Sequence, residues 1–190
     1  LLEAGGLAAR GEVGKAMTIA DSLEQRHTEL LPSTAEYFVR LRELLKALGA
    51  IGEFSARTQD LIASYGEALS SLIFVDRLKR LGIDAAHVDA RQCLVTDDHF
   101  GKASPLMDLT TARLEEAART HLNSNRVVVM GGYIASTASG TTTTLGRGGS
   151  DYSAAIAGAA LNAEEIQIWT DVDGMMTADP RIVPAASKVK

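Results

Sequence analysis

Cysteine is nearly absent. Cys93 is the single one in 190 residues, which excludes an internal disulfide framework. No Asn-x-Ser/Thr sequon occurs, and the first residues lack a basic region followed by an apolar run, so a secreted protein is not expected. Long apolar runs are missing as well. The longest, Ala154–Leu161, consists of small residues interrupted by Gly158, far short of the roughly 20 residues that cross a bilayer. Positive charge is not in surplus: 19 Lys and Arg stand against 24 Asp and Glu, a formal net charge of −5. That balance lacks the basic stripe of a general nucleic-acid binder. The four histidines, His27, His87, His99 and His121, are too scattered for a zinc pattern. Together these absences predict a cytoplasmic protein without membrane or nucleic-acid partners.

What is present is ordinary for a folded domain: 46% hydrophobic and 23% charged residues, enough chain for one sizeable core. The sequence opens on Leu1-Leu2-Glu3 without an initiator Met and closes on Ser187-Lys188-Val189-Lys190 without a terminating helix. A piece of a longer protein is therefore expected.

The first 120 residues read mostly as helix. Leu2–Leu30 carries helical spacing with a break near Gly11 and Gly14. After Pro32, Ser33 or Thr34 can cap a helix, with Glu36 placed for a capping box. That helix is predicted over Ala35–Leu48, with Gly49 as its C-cap. A third covers about Thr58–Leu81 and ends at Gly82; Gly66 lies inside it at a cost of about 1 kcal/mol. From Ile83 the periodicity changes. Ile83–Val88 and Gln92–Thr96 are short enough for strands, with Cys93 a small buried side chain in the second. Asp97–Pro105 reads as a loop, and Asp108 or Thr110 caps a helix to about Leu122. The Val run Arg126–Met130 reads as a strand buried on both faces. Tyr133–Ser136 and Thr141–Leu145 flank a hairpin turn. Ser150–Leu161 reads as helix, and Ile166–Thr170 as another buried strand with Trp169 in the core. This alternation implies an α/β layered fold with a mainly parallel sheet and a helical N-terminal part.

Several familiar patterns fail. Gly14-Lys15 lacks the first glycine and the Ser/Thr of a P-loop. Gly146-Arg147-Gly148 meets Asp151 where a dinucleotide fingerprint needs its third glycine, which disfavours an oxidoreductase. Asp171-Val172-Asp173-Gly174 has its glycine too early for an EF-hand.

What survives is Thr142-Thr143-Thr144-Leu145-Gly146-Arg147-Gly148-Gly149-Ser150-Asp151, a glycine-rich turn before a helix expected to start at Ser150. Glycines admit a ligand to the backbone, the helix N-terminus favours anions, and Arg147 offers a planar fork for a carboxylate or phosphate. A surface Arg and a capping Asp would explain each residue singly, but explain the concentration less well. Thr170 and Asp171, at the end of a predicted strand, stand where α/β sheets bind ligands, or form only a polar turn. In Ser64-Tyr65-Gly66-Glu67, the glycine opens the helix surface beside Glu67. That carboxylate then either receives an ammonium group or is an ordinary solvated helical residue.

These runs, with Gly132-Tyr133-Ile134, Phe100-Gly101-Lys102-Ala103, Ile168-Trp169-Thr170-Asp171-Val172-Asp173-Gly174 and Thr177-Ala178-Asp179-Pro180-Arg181, resemble the catalytic domain of the aspartokinase family. The likeness is specific from Arg126 to Lys188, clear from about Arg57 to Pro105, and only a matter of helical pattern before Gly52. It implies the three-layer α/β/α sandwich of the amino-acid kinase fold, as a partial catalytic domain. Residues 1–56 would form a helical region, 57–125 the aspartate-binding helix and its αβ region, and 126–190 the substrate loop and nucleotide part. The implied reaction transfers the γ-phosphoryl group of ATP, with Mg²⁺, to the side-chain carboxylate of L-aspartate. The product is 4-phospho-L-aspartate, the first step toward lysine, threonine and methionine. By the same resemblance Arg147 would grip the α-carboxylate and Glu67 the α-ammonium. Asp151 would organise the transfer site, and Gly132 and Tyr133 would line the aspartate pocket. Thr170, Asp171, Met176 and Arg181 would contact ATP; many relatives have Tyr where Met176 stands. The family's Lys-Phe-Gly-Gly-Thr phosphate segment and C-terminal ACT modules have no counterpart in these 190 residues, so the chain alone is expected to be inactive. The longer protein is expected to be a homo-oligomer. A different amino-acid kinase, or a non-catalytic aspartate-binding piece, are the alternatives.

Overall fold

Glycines and short polar turns divide the first half into helices, as the periodicity predicts. The structure is a computed structural model describing residues 1–169, 174, 176–179 and 181–189; Thr170 and Asp171 lie outside the described residues. Helix α1 (Leu2–Ala9) and α2 (Val13–Leu30) are separated by a turn in which Gly11 takes φ 82°. A 3₁₀ turn, Pro32–Thr34, runs straight into α3 (Ala35–Ile51). The expected capping box is not made, because the Thr34 hydroxyl donates to the Leu31 carbonyl at 2.7 Å. Nor is Gly49 the C-cap: α3 continues to Gly52, which is left-handed. Gly49 is a contact glycine, since a Cβ there would lie 2.3 Å from Val13 Cγ2. Helix α4 (Ala56–Arg80) starts at Ser55, whose hydroxyl accepts from Thr58 N.

The second half is layered. Strand β1 (Ala85–Val88) runs parallel to β3 (Val127–Met130), with Ala85 opposite Val127. Strand β2 (Val95–Thr96) runs parallel to β4 (Ile134–Thr137), which turns back on β5 (Thr142–Thr144) as the expected hairpin. Between β1 and β2 lies a short helix, α5 (Ala90–Cys93); α6 (Met107–Asn123) and α7 (Gly149–Ala160) complete the described elements. Helix α4 packs on β1, β3 and β5, while α6 packs on the strands with α7 beside it, giving α/β/α layers. One buried cluster joins α1–α3 to Ile62, Tyr65 and Leu69 of α4. A second joins Cys93, Leu94, Ile134 and Ala135 to Leu114 of α6 and Ile156 of α7. Helix α4 belongs to the first cluster and also packs on β1, β3 and β5, so its apolar residues do not form one clean stripe.

Four sequence expectations are corrected here. Gln92–Thr96 is not a single strand: the Asp89 carboxylate accepts from Arg91 N at 3.0 Å and turns the chain into α5. Cys93 is buried as expected, but in that helix. Neither Asp108 nor Thr110 caps α6; Thr110 is fully buried and its hydroxyl both accepts from Val95 N and donates to Val95 O, each at 3.0 Å. Strand β3 is not buried on both faces. Among the described residues it pairs only with β1, and Val127 is exposed. Ile166–Trp169 forms no strand, and Ile168 and Trp169 are exposed, Trp169 at 86%. A run of apolar residues becomes a strand only where a neighbour satisfies its backbone, and none of the described strands does so there.

Candidate active site

Two adjacent glycines bring the candidate residues together. Gly131-Gly132 follows β3 and fits between α4 and α7. A Cβ on Gly131 would lie 3.1 Å from the Glu67 carbonyl oxygen; one on Gly132 would lie 2.9 Å from Ser150 Cα. Bare backbone on both sides lets the two helices close on one turn. The close approach to Glu67 therefore comes from Gly131. Gly66, which the sequence singles out, meets only the Leu1 side chain, at an ordinary 3.4 Å.

Tyr133 occupies a strained turn. Its φ is 69°, and Ile134 N donates to Gly132 O at 2.8 Å, a three-residue γ-turn rarely taken by residues with side chains. Two bonds hold it. Tyr133 N donates to Ser153 Oγ at 2.9 Å, and that hydroxyl donates to Gly149 O at 2.7 Å. Tyr133 O accepts from Leu145 N at 2.9 Å. The γ-turn is thus laced to both ends of the glycine-rich loop.

In that loop Gly146 and Gly148 both take left-handed φ, 74° and 75°, with exposed Arg147 between them. Ser150 is not the N-cap. Gly148 occupies that position and Gly149 begins α7, so Asp151 is the third helical residue, in the first turn, where a carboxylate opposes the helix dipole. Glu67 is half-buried on α4, and burial alone pushes its carboxyl above the usual carboxylate range. A carboxylate without a counter-charge among the described residues suits an incoming ammonium group.

The structure thus brings Glu67, Gly132, Tyr133 and the Arg147–Asp151 loop to one place. Met176 and Arg181 belong to a separate stretch. Met176 makes a short bridge with Lys188, and Arg181 is forked onto Asp179, Nη2 to Oδ2 at 2.8 Å.

One buried acid in this region escapes the sequence reading. Asp60 is 3% exposed, and its carboxylate accepts from Gly101 N, Thr144 N and Thr144 Oγ1 at 2.8, 3.1 and 2.7 Å. Asp60, Ser64, Glu67 and Ser71 recur at helical spacing along α4 and are all buried or half-buried. That polar stripe was the available signal. Among the described residues no group of three His, Cys, Asp or Glu converges as a cation site.

The Amino acid kinase family matches residues 6–190 of the chain. The chain is 38% identical over 167 residues to the lysine-sensitive aspartokinase 3 of Escherichia coli K12, covering 86% of this chain and 36% of that protein. It is 44% identical over 133 residues to aspartokinase 1 of Bacillus subtilis 168, covering 70% and 32%. A crystal structure of E. coli aspartokinase III with aspartate and ADP, in the R-state, matches with a TM-score of 0.83 at 34% identity, over 98% of this chain and 44% of that one. The T-state complex of the same enzyme with lysine and aspartate gives 0.79 at 32% identity, over 98% and 44%. The chain spans about a third of the length of these curated relatives.

Proposed function

We propose that this chain, which belongs to the amino acid kinase family, carries the aspartate-holding part of an ATP-dependent aspartate kinase. The observation that supports this reading is the packing of adjacent glycines on two helices, Gly131 on Glu67 of α4 and Gly132 on Ser150 of α7, three residues after Arg147, with Glu67 half-buried. An α-amino acid is a zwitterion. A carboxylate with no cation partner among the described residues and an exposed guanidinium on a short glycine-rich loop are its complement. The aspartokinase relatives, one of them holding aspartate and ADP, support the choice of substrate.

In this reading Glu67 receives the α-ammonium and Arg147 the α-carboxylate, with Gly132 and Tyr133 lining the pocket. That leaves the substrate's side-chain carboxylate to attack. Already ionised at neutral pH, it needs no general base, and one of its oxygens forms a bond to the γ-phosphorus as the bond to the ADP oxygen breaks. Catalysis then rests on positioning and on compensating phosphate charge. Mg²⁺ bound to the nucleotide would neutralise part of that charge. Asp151, in the first turn of α7, orients the cationic groups around the transferred phosphoryl. Thr170, Asp171, Met176 and Arg181 contact ATP, for which Arg181 must release Asp179. The protein works in the cytoplasm as a homo-oligomer, within a longer polypeptide. The 190 residues supply no Lys-Phe-Gly-Gly cradle for the β- and γ-phosphates, so this chain binds aspartate without turning it over.

The test is calorimetric titration of the chain with L-aspartate, L-glutamate, carbamate and UMP, and hydroxylamine trapping of acyl phosphate in the longer polypeptide. Aspartate-selective binding and an aspartate-dependent hydroxamate are expected. Binding of another of these compounds in preference would assign the chain to a different branch of the family.

A further inference from the structure

We infer that Asp60 is a positioning residue that sets the spacing between Glu67 and Arg147, and with it the fit of the amino-acid substrate. The inference rests on the reading that this pair holds the two ends of an α-amino acid.

Asp60 stands where three segments meet. Its Oδ2 accepts from Gly101 N and Thr144 N, and its Oδ1 from Thr144 Oγ1. Thr144 is the last residue of β5, so Arg147 follows three residues later. The Gly101 loop is bonded to β5 a second time, Ala103 N to Thr144 O at 2.9 Å. It also backs the turn itself, since a Cβ on Gly146 would lie 3.0 Å from Gly101 O. Glu67 lies seven residues beyond Asp60 on the same helix, about 10 Å along its axis. One carboxylate therefore ties the helix bearing Glu67 to the root of the loop bearing Arg147. Gln59, Asp60, Gly101 and Tyr133 also border one small cleft, which puts this knot beside the strained γ-turn.

The chemistry of the knot calls for a polar acceptor. A buried carboxylate is costly unless its oxygens are saturated, and here three donors saturate them. Asparagine can keep the two N–H bonds on its single oxygen and offer its amide to Thr144 Oγ1, with the threonine hydroxyl turned to accept. Alanine can keep none. A helix that merely needed filling at this point would not need an acceptor on both oxygens.

The experiment is calorimetry of the 190-residue chain with L-aspartate, for wild type, D60A, D60N and T144V, beside amide hydrogen exchange at Gly101 and Thr144. I62V, on the same helix but facing the helical cluster, is the control for lost stability. A shift of about 1 Å in a substrate-orienting group can cost about 10²-fold. D60A is therefore expected to weaken aspartate by about 10- to 100-fold, T144V by a few fold, and D60N least. Exchange at Gly101 and Thr144 should quicken in D60A and remain slow in D60N. I62V should lower the melting temperature with an unchanged dissociation constant. If D60A does not fold, T144V against D60N carries the comparison. Wild-type affinity in D60A or T144V, in a wild type that binds aspartate, overturns the role of Asp60 alone. A wild type that fails to bind aspartate overturns the functional reading beneath it, and this inference with it.

Discussion

Replacing Gly132 with alanine tests the way the two helices meet. The backbone there is not left-handed, so alanine is conformationally allowed and its effect comes from contact alone. The new Cβ would stand 2.9 Å from Ser150 Cα, 3.2 Å from its Cβ and 3.3 Å from its Oγ. Two of these neighbours would be tolerable after a small rotation, but the Cα belongs to the first turn of α7 and cannot swing aside. Restoring the 3.5–4.0 Å optimum for carbon pairs requires a displacement of about 0.6–1.1 Å, the difference from 2.9 Å. Overpacking on this scale costs about 1–3 kcal/mol, which for a chain of this size corresponds to a fall of about 2–12 °C in melting temperature. Movement of α7 also carries the Arg147 loop away from Glu67, so aspartate affinity should drop further than stability does. Differential scanning calorimetry and isothermal titration of Gly132→Ala measure both. Gly14→Ala, where an added Cβ meets nothing within 4 Å, should be neutral or stabilising by up to about 1 kcal/mol. A Gly132→Ala chain that melts and binds like wild type would refute the close approach on which the site is built.

Arg147→Ala should weaken aspartate binding by about 2–5 kcal/mol through loss of one side of a charge-assisted pair, read by calorimetry as a raised dissociation constant. Glu67 must be ionised to receive an ammonium group, and burial raises its pKa. Aspartate affinity should therefore begin to fall on acidification at a pH above the ordinary glutamate range, and Glu67→Gln should bind weakly with no such pH dependence. Burial lowers the pKa of His87, which meets Ser71 Oγ at 3.0 Å. The unfolded chain thus takes up that proton first, and stability from this residue should decline as pH falls below about 6.5 until the lower folded value is reached; denaturant titrations of His87→Gln should show a flatter profile. Cys93 is fully buried with its thiol pushed up to about 11, so a thiol reagent should label it only in denaturant.

Local chemistry wrote the parts of this fold that were legible in advance. The stripe Phe38, Leu41, Leu44, Leu45, Leu48 needs only helical periodicity and an apolar partner; Leu44 is half-buried and the other four are buried. The hairpin of β4 and β5 needs only its turn residues, and Ile134 pairs with Thr144 as that turn dictates. The glycine-rich loop announced itself because three left-handed or contact glycines in four residues have few other uses. Elements that depend on a distant partner behave differently. Val127 and Ile166–Trp169 look like core strands because valine and isoleucine runs usually are, but whether such a run is buried depends on what lies beside it.

Asp60 shows the same limit from the opposite side. In sequence it is an acid near a helix start, among residues that could equally face water. Its three donors lie 41 and 84 residues away, and no local pattern connects them. Yet its neighbours on the stripe are informative once burial is known: a helix that turns Asp60, Ser64, Glu67 and Ser71 inward must find donors and acceptors for each. Ser64 satisfies itself on the Leu61 carbonyl and Ser71 meets His87, while Asp60 is saturated by the loop and by β5. Glu67, half-buried, has no cation among the described residues to lower its pKa. The stripe thus divides into three residues whose polar groups the fold itself satisfies and one whose charge it does not. That half-buried carboxylate, packed by Gly131, is the one the proposed aspartate clamp uses.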